Sequence, residues 1–316
     1  MKILVTGAAG FIGSHVSEEL LERGHLVLGV DSFLPSSYDR RVKEANISRC
    51  MSSPQFEFVE CDLVELFDPM LMSGCDCVVN EAAMPGLPLS WDDPNLYFRC
   101  NLDVVTNLLI AARKSSQKLH FVQASTSSVY GATATRSEDS PLRPVSPYGI
   151  SKVAAELLIE RMSEVSGGQI GFSILRYFSV YGPRQRPDMA YHRLFEAALN
   201  GRTFTLFGDG SQTRTNTYVG DVARATADVV EAGPLGEPVN IGGGEKHSLN
   251  SVIEMIEELT GRGVTIERAS RRSGDQQETE ADTRRAVELI NFQPRVNLVD
   301  GLRNQMEWHL GRDLPG

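Results

Sequence analysis

Lys2-Ile-Leu-Val-Thr6-Gly7-Ala-Ala-Gly10-Phe11-Ile12-Gly13 opens the chain and decides how the rest is read. A short apolar run of strand character stops in a glycine turn. Residues 14–23 then carry Val16, Leu20 and Leu21 on the inner side of a helix that Gly24 ends. His25–Val30 is a second apolar run, closed by Asp31. This is a strand–turn–helix–strand unit of about thirty residues. Without side chains at Gly7, Gly10 and Gly13 the backbone can approach a pyrophosphate, and the following helix N-terminus faces its negative charge. A tight turn without ligand is the competing reading. The strand before it and the helix after it weigh against that.

Asp31 lies eighteen residues after Gly13. A carboxylate at that strand end accepts from adenosine ribose hydroxyls and repels a 2′-phosphate, which favours NAD over NADP. Arg40 and Arg41, the residues that could serve such a phosphate, lie well beyond the strand end. Asp62-Leu63 closes a third strand, Phe56–Glu60, and is placed to meet the adenine ring; a strand-capping Asp is an equally good reading of the spacing.

Further on, Asp76–Asn80 reads as a fourth strand, Leu96–Arg113 as a helix, and Leu119–Ala124 as a fifth strand ending in Ser125-Thr126-Ser127-Ser128. An amphipathic helix runs from Pro147 to about Val165, and Ile170–Leu175 is a sixth strand. Short apolar strands alternating with helices specify an α/β fold, a doubly wound, Rossmann-like parallel sheet. Ligands of such sheets bind beyond the carboxyl ends of the strands. After Leu175 the rhythm changes to clustered Arg, Pro and Gly. The expected division is an NAD-binding domain, 1–175, with a return near 215–241, and a smaller α/β substrate-binding part, 176–316.

Within the amphipathic helix, Tyr148-Gly-Ile-Ser-Lys152 sets a phenol and an ammonium one turn apart. The cation is expected to favour the phenolate and to lower the tyrosine pKa. A hydride leaving a carbinol requires a base on the O–H and a nicotinamide facing the C–H. Thr126, Ser127 and Ser128 can hydrogen-bond the substrate oxygen, Tyr148 can exchange its proton, and Lys152 can hold the nicotinamide ribose.

The 316 residues carry a net charge of -10, spread along the chain. That argues against a nucleic-acid or membrane surface. Five cysteines all fall in the first third, and the six histidines are scattered. Buried thiols in a reducing compartment are expected, and no metal. A strand starting at Lys2 leaves no room for a signal peptide, and no apolar run reaches a membrane span. The expected location is cytoplasmic.

Together these residues resemble the extended short-chain dehydrogenase/reductases, in the nucleotide-sugar epimerase and dehydratase branch. The resemblance spans nearly the whole chain. It adds Leu175-Arg-Tyr-Phe178, Tyr181-Gly-Pro183, Phe207-Gly-Asp-Gly210 and Tyr218-Val-Gly-Asp-Val222 to the motifs above. It implies tightly bound NAD, a nucleoside-diphosphate sugar, a 4-keto-sugar intermediate, and a homodimer through a four-helix bundle of the Tyr148 and Leu96–Arg113 helices. Two departures stand out. Asn80-Glu-Ala-Ala83 replaces the usual His-x-Ala-Ala, which leaves the role of Glu81 open, and Ser179 replaces a common Asn.

Dehydratases of this branch place an Asp-Glu pair after the fifth-strand Thr, and UDP-glucuronate decarboxylases place a Glu there. Here Ser127 and Ser128 stand instead. A hydroxyl cannot serve as the general acid or base of an elimination, so epimerisation is favoured. Arg186-Pro-Asp-Met-Ala190 resembles the signature of UDP-glucuronate 4-epimerases. Arg184 and Arg186 bring two cations into an acidic protein, one for a diphosphate and one for a C6 carboxylate, where a planar fork suits best. Ser179 can add a hydroxyl to the same carboxylate. A solvated arginine pair in a proline-rich loop is the plainer alternative. Arg214 resembles the family's diphosphate-binding arginine, and Asp275 lies near where relatives hold the uridine ribose. Two other functions remain open: a 4-epimerase of neutral UDP-hexoses, and a catalytically silent NAD-binding sensor or scaffold.

Overall fold

The computed structural model describes residues 1–34, 39–65, 67–115, 117–271 and 277–311. In chain order the elements begin β1 (Lys2–Thr6), α1 (Phe11–Glu22), β2 (Leu26–Asp31), α2 (Arg40–Met51), β3 (Phe56–Glu60) and β4 (Cys77–Asn80). Next come α3 (Pro88–Asp92), α4 (Pro94–Phe98), α5 (Val104–Lys114), β5 (Leu119–Thr126), β6 (Thr133–Arg136) and α6 (Pro147–Val165). They continue as β7 (Ile170–Tyr177), β8 (Val180–Tyr181), α7 (Ala190–Asn200), β9 (Phe204–Phe207), β10 (Thr213–Thr215) and β11 (Thr217–Tyr218). The chain closes with α8 (Val219–Ala232), β12 (Pro238–Ile241), β13 (Lys246–Ser248), α9 (Leu249–Thr260), β14 (Ile266–Ala269), β15 (Glu278–Ala281), α10 (Arg284–Ile290) and α11 (Leu298–Leu310).

Seven strands form one sheet in the order β12-β7-β5-β4-β1-β2-β3, and every pairing in it is parallel. The expected doubly wound sheet is therefore present. Its register aligns Thr6 with Val30 and Asn80, and Thr126 with Tyr177. Both faces are covered. Val16 and Leu20 of α1 share a core with Val222, Ala223 and Ala227 of α8. Val105, Leu108 and Leu109 of α5 share another with Ala155 and Ile159 of α6. Fully burying such an aliphatic side chain contributes about 1.5–3 kcal/mol relative to leaving it exposed.

Two element boundaries differ from the sequence reading, and the chain returns to the sheet after residue 215 as expected. The single helix expected over Leu96–Arg113 is interrupted by a π turn at Arg99–Asp103. The extra residue turns Asn101 inward, where its Oδ1 accepts from Met84 N at 2.7 Å. Its Nδ2 donates to Met84 O and to Ser151 Oγ. The sixth strand runs two residues further than expected, to Tyr177. Val222–Glu231 lies in α8, against α1, while Pro238–Ile241 is an outer strand of the main sheet beside β7.

Beyond β7, a four-stranded sheet β13-β10-β15-β6 forms with two two-stranded pairs, β11-β8 and β14-β9. Helices α7, α9 and α11 enclose Leu194, Phe195, Val252, Ile256 and Leu302. Among the described residues no helix is long and apolar enough to cross a membrane.

Candidate active site

One pocket runs along the carboxyl edge of the main sheet. Its wall includes Gly7, Gly10, Phe11, Ile12 and Gly13, then Asp31, Asp62 and Leu63, and finally Glu81, Tyr148, Lys152, Tyr177 and Arg186. The glycine turn is forced by close approaches. Gly7 has φ +64, and a Cβ there would stand 2.8 Å from Ala82 N. A Cβ on Gly13 would collide with the Gly7 carbonyl. Gly10 is the N-cap of α1 and supplies no capping side chain, and Gly10 to Gly13 place that helix end in the pocket wall, where its N-terminus faces an anion.

Asp31 is buried at the end of β2. It accepts from the Ala9 and Phe33 backbone N–H groups at 3.2 and 2.8 Å. Lys43 of α2 also donates to it, at 3.2 Å. Lys43 was not singled out in the sequence, because a lysine on a polar helix reads as a solvated side chain. Arg40 instead pairs with Glu44 and Glu60. Asp62 pairs with Arg99 at 3.0 Å and accepts from Val64 N. These donors and acceptors, with the apolar Leu63 beside them, fit a dinucleotide: an anion at the α1 terminus and ribose hydroxyls at Asp31 and Lys43.

At the other end Tyr148 and Lys152 share the inner face of α6, as their spacing requires. The Lys152 Nζ donates to the Ala124 carbonyl at 2.7 Å. Burial lowers its pKa to about 8, against opposing pulls from Glu81 and Glu156. Tyr148 corrects the sequence reading. Burial raises its pKa, outweighing its hydrogen bond with Thr126 and the charge of Arg186, and Glu81 adds to the rise. The ammonium's bond to the Ala124 carbonyl, rather than to the phenol, accounts for the missing depression. Tyr97 packs edge-on against Tyr148, with ring centroids 6.1 Å apart, and is held by the Pro85 carbonyl at 2.9 Å.

Glu81 is the feature that sequence spacing could not resolve. Its Oε1 accepts from Tyr177 OH at 2.8 Å, and Tyr177 shares a second hydrogen bond with Thr226. Burial raises the Glu81 pKa to about 7, against the Tyr177 bond and the charge of Lys152. Thr126 caps a short 3-10 turn over Ser127–Tyr130, and Ser127 is buried there while Ser128 is half-buried.

The loop after β8 splits its two arginines. Arg186 lines the pocket, and Asp188 holds its Nε and Nη2 at 2.9 and 2.8 Å. Arg184, in a positive-φ conformation, turns to α1, where it reaches Ser14 Oγ at 3.2 Å and Glu18 Oε1 at 2.6 Å. The structure therefore does not bring the two cations together. Ser179 also adopts positive φ, 29°, and is not among the pocket-lining residues. Arg214 lies on β10, with its Nη1 on the Thr213 carbonyl. Asp275 lies outside the described residues. None of the five cysteines is in a disulfide; four are buried and Cys100 is half-buried. Burial pushes the Cys50 thiol up to about 12.

A doubly wound sheet, a glycine turn at its carboxyl edge and a Tyr–Lys pair facing the same pocket define a dinucleotide-dependent enzyme of the short-chain type. Residues 3–242 match the model of the NAD dependent epimerase/dehydratase family, and the chain belongs to that family. It is 36% identical to a UDP-glucuronate 4-epimerase from Thermodesulfobacterium geofontis, over 96% of this chain and 95% of that protein. It is 41% identical to an "uncharacterized UDP-glucose epimerase YtcB" from Bacillus subtilis, over 98% of both. Among solved structures, a Bacillus cereus UDP-glucuronic acid 4-epimerase in complex with UDP-glucuronic acid and NAD superposes with a TM-score of 0.93. It shares 39% identity over 98% of each chain.

Proposed function

We propose that this chain is an NAD-dependent 4-epimerase that interconverts UDP-glucuronate and UDP-galacturonate through a transient 4-keto sugar. The observation that carries the reading is Arg186 in the wall of the pocket that also holds Tyr148 and Lys152, with hydroxyls rather than carboxylic acids after Thr126. The relatives of similar length named UDP-glucuronate 4-epimerases support it. NAD, which Gly7, Gly10, Gly13, Asp31 and Lys43 would hold, would supply a reversible hydride acceptor for C4. The remaining tasks fall to the chain. Tyr148 takes and returns the O4 proton. Thr126, now bonded to Tyr148, together with Ser127 and Ser128 supplies hydroxyls toward the sugar. Lys152, a cation below about pH 8, keeps the local field positive as the phenolate forms.

A 4-keto-uronate is a β-keto acid and loses carbon dioxide when its carboxylate bond stands orthogonal to the ring carbonyl. Arg186, with its fork oriented by Asp188, is the proposed clamp against that orientation; Ser179, outside the pocket wall, can join it only if the loop moves. Arg214 is proposed for the diphosphate and Asp275 for the uridine ribose. Arg184, held by Glu18, shapes the loop. In this reading 1–175 with the 215–241 return forms the NAD-binding part and the remainder the substrate part.

A cytoplasmic homodimer is part of the proposal. Ile110 on α5 and Ile150 and Leu157 on α6 are exposed large apolar side chains, the last two seven residues apart on one helix face. Leu157→Glu should give a monomer by sedimentation; an unchanged dimer would exclude this interface.

Incubation with UDP-glucuronate and NAD should yield UDP-galacturonate without pentose. Arg186→Ala should lose activity on the uronate far more than on UDP-glucose. Equal losses on the two substrates would overturn the uronate assignment.

A further inference from the structure

We propose that His192, Glu196 and His309 form a binding site for a divalent transition-metal ion of the zinc class, behind the arginine loop. His192 and Glu196 lie four residues apart on one face of α7, and His309 comes from the last turn of α11. All three are buried, with side chains at most 9% exposed. One potential ligand atom of each lies within 4.8 Å of the others. Glu196 Oε1 stands 4.0 Å from His192 Nε2 and 3.5 Å from His309 Nδ1. Tetrahedral bonds of about 2.0–2.2 Å place ligand atoms about 3.4 Å apart, so closing on an ion draws His192 and Glu196 together by about 0.6 Å and the widest pair, within 4.8 Å, by at most about 1.4 Å.

The surroundings orient these atoms. His192 Nδ1 lies 2.8 Å from the Gln185 carbonyl, which fixes its proton there and directs the Nε2 lone pair at Glu196. Glu196 Oε2 is engaged by Asn200 at 3.2 Å and by Arg202 at 3.5 Å, which leaves Oε1 on the histidine side. Two imidazoles and one carboxylate suit a borderline ion; magnesium and calcium require more oxygen donors. The fourth position falls to water.

The site would act on the catalytic end through Gln185, which sits between Arg184 and Arg186. Gln185 Oε1 accepts from His192 N at 2.9 Å and from Gln305 Nε2 at 3.1 Å. Gln305, on α11, accepts in turn from Gly182 N at 3.1 Å. An ion tying α7 to α11 therefore fixes the loop on both sides. This inference is independent of which sugar is bound.

The test uses the full chain, stripped with chelator and titrated with zinc alone by calorimetry at neutral pH, with elemental analysis after desalting. One zinc per chain at submicromolar affinity is expected, with a raised Tm. Cobalt should give the visible absorption of a four- or five-coordinate nitrogen/oxygen site. His309→Gln and Glu196→Gln should each weaken zinc at least about 100-fold, with an unchanged circular dichroism spectrum. His192→Asn serves where either fails to fold. Absence of stoichiometric zinc, or affinity unchanged in all folded variants, would overturn the site. So would a Tm that follows only pH and not zinc, since that marks a protonated His–Glu pair.

Discussion

Two glutamates, Glu156 buried and Glu81 half-buried, flank the end of β7, and the fold treats them in opposite ways. Glu156, on α6 one turn beyond Lys152, accepts from Ser125 Oγ and from Arg176, whose Nη2 stands 2.7 Å away. Arg176 then donates to Tyr130 OH at 2.9 Å and to the Glu138 carbonyl at 3.2 Å. Every charge there has a partner. Glu81, reached from the next residue of the same strand, has the Tyr177 hydroxyl at 2.8 Å, while Lys152 gives its ammonium to a carbonyl. The paired cluster is structural. The under-paired one titrates near neutrality, Glu81 at about 7 and Lys152 at about 8, which is where proton chemistry is done.

The largest expected effect lies on the under-paired side. Tyr148→Phe should reduce kcat by roughly 10²–10⁴ while leaving Tm unchanged or slightly raised, because it removes a proton carrier and keeps the ring packed on Tyr97. Steady-state kinetics and calorimetry on the same preparation check this. A stability loss without a rate loss would reverse the roles assigned to the two clusters.

On the paired side the effect should be on stability. Glu156→Ala leaves Arg176, 3% exposed, as a buried unpaired cation. That should cost about 3–5 kcal/mol in urea unfolding. Arg176→Met added to it should recover much of the loss, since the orphaned charge is then gone. A single-variant loss under about 1 kcal/mol would show that the network does not hold this region.

What the sequence made legible was what is local. Gly7 to Gly13, Asp31 and the Tyr148/Lys152 step each declare themselves through spacing along one element, and the alternation of strands and helices implied the sheet. What stayed hidden depends on partners far apart in the chain. Glu81 and Tyr177 are separated by 96 residues, and Glu156 and Arg176 meet only because α6 lies across β5 and β7. Arg184 and Arg186 were readable as cations but not as vectors, since a positive φ at Arg184 sends it to α1 instead of the pocket. The π turn at Arg99–Asp103 left no sign except a polar Asn101 within an apolar stripe.

The smallest effect sharpens the comparison most, because it moves the under-paired cluster toward the paired one. Glu81→Gln keeps an acceptor for Tyr177 and removes the charge. The wild-type carboxyl holds its proton up to about pH 7, well above the ordinary carboxylate value. Between those values the folded state binds more protons than the unfolded state, so wild-type stability falls as pH rises through the window. The variant lacks that fall. Its advantage should be near zero at pH 4 and grow to about 3 kcal/mol by pH 8. Activity should respond in the opposite sense. Glu81 supports the charged form of Lys152, so without it the lysine pKa drops below about 8. The alkaline limb of the kcat profile should then move to lower pH. Profiles that coincide would place Lys152 outside the control of Glu81 and leave Glu81 a packing residue like Glu156.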